Sequence, residues 1–276
     1  MSSIADLLAQ IDLPDSATPV LDAQLLLAHA LGKPRSYLST WPEREPDSAQ
    51  LAAYEQLMAR RRQGEPVAYL LGQQGFWSLD LQVSPATLIP RPDTERLVEL
   101  ALELGPVGPG KVLDMGTGTG AIALALANER RDWELLGCDR VTEAVVLAER
   151  NRLQHGLGNA RFVVSDWFAA LPSMRFDLIV SNPPYIATTD PHLQQGDVRF
   201  EPASALVSGA DGLDAIRHII EQAPGWLLPK AWLLIEHGWQ QSDAVCQLLQ
   251  QRGFLETRSW QDLGGQLRVS GGQWRG

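Results

Sequence analysis

The sequence predicts an α/β protein: an open, doubly wound, mostly parallel sheet of seven strands, with a small helical bundle ahead of it. Two observations predict it. From about residue 93, short apolar runs alternate with stretches of helical period, which means parallel strands joined by crossover helices. Before residue 75 the chain reads as helical throughout. Boundaries are expected at 1–74 (helical domain), 75–92 (β-hairpin connector) and 93–276 (sheet domain).

In the first segment, Val20 to Leu31 offers Leu21, Leu25, Leu27, Ala28 and Leu31 to one face, and Gly32 and Pro34 stop it. Asp47 or Ser48 caps a second helix through Leu51, Tyr54, Leu57 and Met58, ended by Gly64 and Pro66. Its last turn carries Arg60-Arg61-Arg62, read as a solvated helix end favoured by the dipole, with a docking contact to an acidic partner as the alternative. Phe76 to Val83 alternates partly like a strand, and Ser84-Pro85 interrupts it. Asp93 or Thr94 then starts a helix through Leu97, Val98, Leu100, Ala101 and Leu104. Strands are expected at 111–115, 133–139, 161–164, 176–181, 232–236, 254–259 and 266–270. Helices are expected at 121–129, 141–155, 213–226 and 240–252.

Composition narrows the function. A net charge of −10 argues against a protein that grips nucleic acid through its phosphates. No apolar run approaches the roughly 20 residues a bilayer span needs, and Met1 to Gln10 does not read as a signal peptide. Cys138 and Cys246 lie far apart, and the five histidines are scattered. A cytoplasmic chain without disulfide, metal or membrane partner is expected.

In open parallel sheets, ligands bind beyond the carboxyl ends of the strands. Gly116-Thr117-Gly118-Thr119-Gly120 leaves the first expected strand of the sheet domain for an alanine-rich helix. The glycines permit a tight turn and remove side chains where a ligand approaches the backbone. The spacing of Gly116, Gly118 and Ala121 also fits the dinucleotide fingerprint, so the loop specifies a nucleoside-like ligand without saying which. Asp139 ends the next strand and can accept from both ribose hydroxyls. Asp166-Trp167 follows the third strand. The aspartate can accept from an adenine amino group and the tryptophan can stack on the ring, although core packing alone would also explain a tryptophan there.

Ser181-Asn182-Pro183-Pro184-Tyr185 follows the fourth strand. Two prolines fix φ near −65° and remove two backbone donors, so the corner is rich in acceptors. Asn182 adds a side-chain carbonyl and Tyr185 an aromatic face. Such a pocket suits a planar NH2 group with both N–H bonds engaged and one face of the nitrogen free. An amide nitrogen is a poor nucleophile, so positioning and electrostatics are expected to carry its chemistry.

Taken in order, the glycine loop, Asp139 and Asp166-Trp167 resemble the class I, Rossmann-like methyltransferase fold that binds S-adenosylmethionine and releases S-adenosylhomocysteine. Asn-Pro-Pro-Tyr is shared by several enzymes that methylate planar nitrogens, among them DNA and RNA amino methyltransferases, the alternative reading. The wider combination resembles the HemK-type family, the N5-glutamine methyltransferases of peptide chain release factors. It includes the stretch from Arg62 to Leu70, Phe76-Trp77, the stretch from Leu88 to Glu95, the loop from Leu113 to Gly120, Ser181 to Ile186, and Phe200-Glu201-Pro202. The resemblance implies methylation of the glutamine in the Gly-Gly-Gln loop of class 1 release factors. It also implies cofactor contacts at Gly116 to Gly120, Asp139, Trp167 and Asn182, a substrate amide held by Asn182 and the Pro183 carbonyl beside Tyr185, and a helical domain that helps hold the factor. Pro92-Asp93-Thr94-Glu95 borders the cofactor pocket in this reading, without assigned chemistry. The chain also carries its own Gly264-Gly265-Gln266 and Gly271-Gly272-Gln273, read as turns around a terminal strand rather than as a pseudo-substrate.

Overall fold

The computed structural model describes residues 2–276, which form two compact units. The first joins 2–73 with 191–200, and the second holds Gln74–Asp190 and Glu201–Gly276. The sequence reading leaves 191–200 inside the sheet domain. The structure puts it with the helices.

The first unit contains α1 (Ile4–Ala9), α2 (Pro19–Leu31), α3 (Ser36–Thr40), α4 (Ser48–Arg62) and α5 (Val67–Leu71). Pro19 opens α2 at a position where its missing N–H costs nothing, and Gly32 closes it in the left-handed conformation. Asp47 caps α4 through a reciprocal pair: Gln50 N–H donates to its carboxylate at 2.8 Å, and its own N–H donates to Gln50 Oε1 at 3.0 Å. Leu26, Leu27, Leu38, Tyr54, Met58 and Leu70 form the core. Arg60 and Arg62 are exposed as the reading expects, and Arg61 departs from it. The Arg61 side chain is 10% exposed and bridges Asp22 at 2.8 Å and Asp197 at 3.1 Å. That ion pair helps gather 191–200 into this unit.

A two-stranded sheet follows, β1 (Gln73–Phe76), whose first residue belongs to the first unit, and β2 (Leu79–Gln82). The single run expected over Phe76 to Val83 is broken at Trp77, whose φ is +56°. Its backbone N–H donates to Glu95 and its indole to Glu129, both at 2.8 Å, and these bonds hold the turn. Then come α6 (Glu95–Leu104), β3 (Gly110–Met115), α7 (Ala121–Glu129), β4 (Trp133–Asp139), α8 (Thr142–Gln154), β5 (Ala160–Val164) and β6 (Phe176–Ser181). The chain closes with α9 (Ala203–Leu206), α10 (Asp214–Gln222), β7 (Leu227–Glu236), α11 (Ser242–Arg252), β8 (Phe254–Gln261) and β9 (Leu267–Trp274).

The main sheet has seven strands in the order β5-β4-β3-β6-β7-β9-β8. The first five run parallel, and β9 pairs antiparallel with both neighbours. This is the doubly wound, mostly parallel fold expected from the sequence. Alternate strand residues point to opposite faces. Val112, Leu135, Leu178 and Leu234 therefore join the cluster with α6 and α7, while Leu113, Leu136, Ile179 and Leu233 join the one with α10 and α11. Among the described residues, no helix is long and apolar enough to cross a membrane.

The two Gly-Gly-Gln triplets take structural positions. Gly264-Gly265 forms the β8–β9 turn, where Gln266 N–H donates to Asp262 at 2.9 Å. Gly271 and Gly272 lie inside β9, where an added Cβ would come within 2.5 Å of Leu234 and 2.8 Å of Phe254.

Candidate active site

The parallel order places three strand ends side by side. Met115 of β3 is in register with Cys138 of β4 and with Ser181 of β6. The glycine loop, Asp139 and the diproline corner therefore share one edge of the sheet. Ser181 ties two of them together, its hydroxyl donating to the Met115 carbonyl at 2.8 Å.

The glycine loop is held from both sides. Gly116 and Thr117 N–H both donate to the Cys138 carbonyl at 2.9 Å, and Gly118 N–H donates to Asp139 Oδ2 at 3.0 Å. Beneath the loop lies Asp114, fully buried, which receives the Thr117 hydroxyl at 2.6 Å and Ala123 N–H at 3.2 Å. Its other oxygen has no hydrogen-bond partner among the described residues. Burial, opposed by those two bonds, pushes its carboxyl up to about 6. Gly116 at φ +70° has no side chain to fill the space between Trp167 and the Asn182 carbonyl. Gly120 serves a different end. At φ +84°, a Cβ there would meet Leu124, Phe162 and Ala148 at 3.0–3.2 Å, so this glycine lets α7 seat on its neighbours.

A cavity of about 500 Å³ opens above this edge, within the roughly 300–1,000 Å³ usual for small-molecule sites. Gly116, Thr117, Gly118, Thr119, Asp139, Asp166, Trp167, Asn182 and Pro184 all line it. Gly120, Pro183 and Tyr185 do not. A carboxylate has about four lone-pair sites. Asp139 commits one to Gly118 and one, at 2.9 Å, to Val141 N–H, which leaves capacity for the two hydroxyls of a ribose. Trp167 sits at φ +50°, a strained conformation for a bulky residue. Ser165 stabilises it by donating to the Trp167 carbonyl at 2.7 Å while accepting Ala170 N–H at 3.0 Å. Cys138 also lines the cavity, and burial chiefly pushes its thiol up to about 12, so it is no nucleophile at neutral pH.

Asn182 projects its amide toward the buried Thr94, with Nδ2 donating to Oγ1 at 3.1 Å. Tyr185 packs on the α10/α11 side of the sheet and brings its hydroxyl to 3.5 Å from Glu236 Oε1. Burial, and then the Glu236 charge, hold that hydroxyl well above the usual phenol range, so it stays protonated. Downstream, Ile186 N–H donates to Leu206 and Ile186 accepts from Ser208 N–H, both at 2.9 Å. That bridge brings 204–209 against the cavity.

Several lining residues escaped the sequence reading: Arg91, Arg140, Ser208, Asp214 and His218. The strand-end rule points to Arg140, which follows Asp139. Arg91 lies in the stretch from Leu88 to Glu95, where the sequence reading gives it no role; the others come from the loop before α10 and α10 itself, and no local signal marks them. Arg91 is fixed by Glu201, whose side chain is fully buried and which also accepts Ile89 N–H. Among the described residues, no group of three His, Cys, Asp or Glu side chains is placed to hold a metal ion.

An open parallel sheet with a nucleoside-sized cavity above a glycine loop, beside an acceptor-rich corner, defines a methyltransferase of class I. A methyltransferase from Pyrococcus furiosus shares the fold, with a TM-score of 0.55 at 17% identity over 80% of this chain and 99% of that one. The PrmC N-terminal domain model matches residues 4–72, and the methyltransferase small domain model matches 97–234. The release factor glutamine methyltransferase of Pseudomonas aeruginosa is 58% identical over 99% of each chain, and that of Escherichia coli is 50% identical over 94% of each. The chain belongs to the release factor glutamine methyltransferase family and is an enzyme.

Proposed function

We propose that this enzyme transfers a methyl group from S-adenosylmethionine to the side-chain amide nitrogen (N5) of the glutamine in the Gly-Gly-Gln loop of class 1 peptide chain release factors. The observation that carries the reading is Asn182, lining the cavity at the end of β6 with its amide held from behind by Thr94. Bound above the glycine loop, S-adenosylmethionine supplies an electrophilic methyl group on a sulfonium. Asp139 would accept from its ribose, Asp166 from its adenine amino group, and Trp167 would stack on the ring.

The corner then does the chemical work by positioning. Asn182 Oδ1 and the Pro183 carbonyl accept the two N–H bonds of the substrate amide. The diproline offers no competing donors there. The nitrogen is left with one face open for in-line attack, and fixing it there supplies much of the acceleration. Transfer would exchange the S–CH3 bond for an N–CH3 bond, leave S-adenosylhomocysteine, and release one of the two held amide protons past its acceptor to solvent. Pro184 walls the corner on the cavity side, and Tyr185 packs away from it with the α10/α11 cluster. The helical domain holds the release factor, with no nucleic acid or membrane partner. A substrate on the translation machinery sets the work in the cytoplasm.

The test mixes the protein, methyl-labelled S-adenosylmethionine and a release factor, and locates the label by peptide mass. Label on the glutamine side chain is expected. Label on RNA or DNA with none on the factor would overturn the reading.

A further inference from the structure

The diproline corner is stiff within itself and free at its ends. Each proline fixes its own φ and holds the residue before it in the extended range of ψ. Asn182-Pro183-Pro184 therefore keeps one internal shape, with only the Asn182 amide left to turn. The torsions that lead into the corner, and the ψ of Pro184 that leads out of it, are under no such restriction. A rigid arm held at one end still swings, and its swing would carry Asn182 Oδ1 and the Pro183 carbonyl with it. Neither proline has an N–H with which to tie the corner down.

The upstream end is fixed by β6. Ser181 stands in register with Met115 and Ile235, and its hydroxyl donates to the Met115 carbonyl at 2.8 Å. The downstream end is the peptide plane between Tyr185 and Ile186. Its N–H, on Ile186, donates to the Leu206 carbonyl at 2.9 Å. Its carbonyl, on Tyr185, accepts from Gln241 Nε2 at 3.0 Å. Gln241 is the N-cap residue of α11, and it shares the rest of its amide with two other loops. Nε2 also donates to the Asp211 carbonyl at 3.2 Å, and Oε1 accepts Gly238 N–H at 2.8 Å.

One planar amide thus joins the loop after β6, the loop before α10 and the loop after β7. Its orientation is settled by those partners. A half-turn would set its NH2 group against Gly238 N–H and its oxygen against two carbonyls, so all three bonds would be lost together. Gly212 makes the room for this junction. Its φ is +78°, and a Cβ there would come within 2.2 Å of the Tyr185 carbonyl oxygen and 2.8 Å of Gln241 Nε2.

The geometry points to Gln241 as a positioning residue for methyl transfer: its amide pins the exit of the diproline corner, and so keeps Asn182 Oδ1 and the Pro183 carbonyl where they line up the substrate nitrogen. Gln241 is absent from the cavity lining. It touches neither the substrate nor the cofactor, and acts through the Tyr185 carbonyl. The inference rests on the substrate reading above and deepens it.

The experiment measures methylation of a release factor at saturating substrates, S-adenosylmethionine binding by calorimetry, and thermal melting, for the full chain and two variants. Gln241→Met keeps the length of the side chain and removes its donor and acceptor. Its kcat is expected to fall about 10- to 100-fold while cofactor affinity stays within about threefold. Gln241→Glu keeps an acceptor for Gly238. When ionised it sets an oxygen against the Tyr185 and Asp211 carbonyls, and when protonated it can donate to them again. Its kcat, taken as a ratio to wild type, should therefore climb as the pH is lowered from about 8 to about 5.5, while the ratio for Gln241→Met stays flat. The charged pair beside it, Asp211 and Arg217, is present in every variant and cancels in that ratio. The inference is overturned if Gln241→Met turns over like wild type, if its loss only follows the fraction of protein unfolded at the assay temperature, or if the ratio for Gln241→Glu ignores pH. A wild type that binds the cofactor and methylates no release factor sinks the substrate reading, and this inference with it. A wild type that methylates, beside an equally active Gln241→Met, sinks this inference alone.

Discussion

The glycine loop after β3 and the diproline corner after β6 leave neighbouring strands at the same register and reach a fixed shape by opposite means. The loop is built from residues with the most backbone freedom, and its shape is imposed from outside by Asp114, Asp139 and the Cys138 carbonyl. The corner is built from residues with the least freedom, and only its asparagine amide needs outside orientation, through Thr94. A loop that must let a ligand close to its backbone cannot carry side chains, so it borrows rigidity from neighbours. A corner that must present acceptors can carry its own.

That contrast predicts separable failures. The largest belongs to the corner. Asn182→Ala should lower kcat by about 1,000-fold while S-adenosylmethionine binding, measured by calorimetry, survives largely intact. Turnover near wild type would remove the amide clamp from the account. Next comes the packing end of the loop. Gly120→Ala combines a positive φ with crowding against Leu124, Phe162 and Ala148, and should destabilise the fold by about 2–4 kcal/mol in denaturant titration. An unchanged midpoint would mean that α7 can shift.

Asp139→Asn should act on the cofactor instead, raising its Kd about 10- to 100-fold with kcat at saturation near wild type. A loss in kcat alone would merge the two regions that the contrast separates. The smallest effect is thermodynamic. Glu236 holds its proton more tightly folded than unfolded, so its contribution is complete below about 4.5 and is lost as pH rises through about 7. Wild type should therefore lose stability across that window, and Glu236→Gln should lose less, by on the order of 1–2 kcal/mol. Parallel melting curves from pH 4 to pH 8 would contradict this.

How much was legible follows the same division. Asp139 was legible because a strand end and a spacing from the glycines mark it. Asn182 was legible because two prolines after a strand have few other uses. Trp167 was legible as a residue, but its strained backbone was not, since positive φ at tryptophan has no sequence signature. The sequence reading puts Tyr185 in the substrate corner, yet its ring packs against the α10/α11 cluster and is absent from the cavity lining. Arg91 was given no role because its partner, Glu201, lies far along the chain. Arg61 misled for the same reason: a basic helix end looks solvated until Asp22 and Asp197 are brought to it.

Near neighbours in the sequence suffice for the alternation that makes the sheet parallel, the αL positions that only glycine fills cheaply, the diproline restriction, and the caps of α2 and α4. Only tertiary structure decided which strand ends stand together, which face of Asn182 meets the cavity, and that 191–200 packs with the helices. Local conformation follows from the sterics of each residue and its neighbours. A hydrogen bond between side chains depends on what the fold brings together, and here Asn182 meets Thr94 from 88 positions away in the chain.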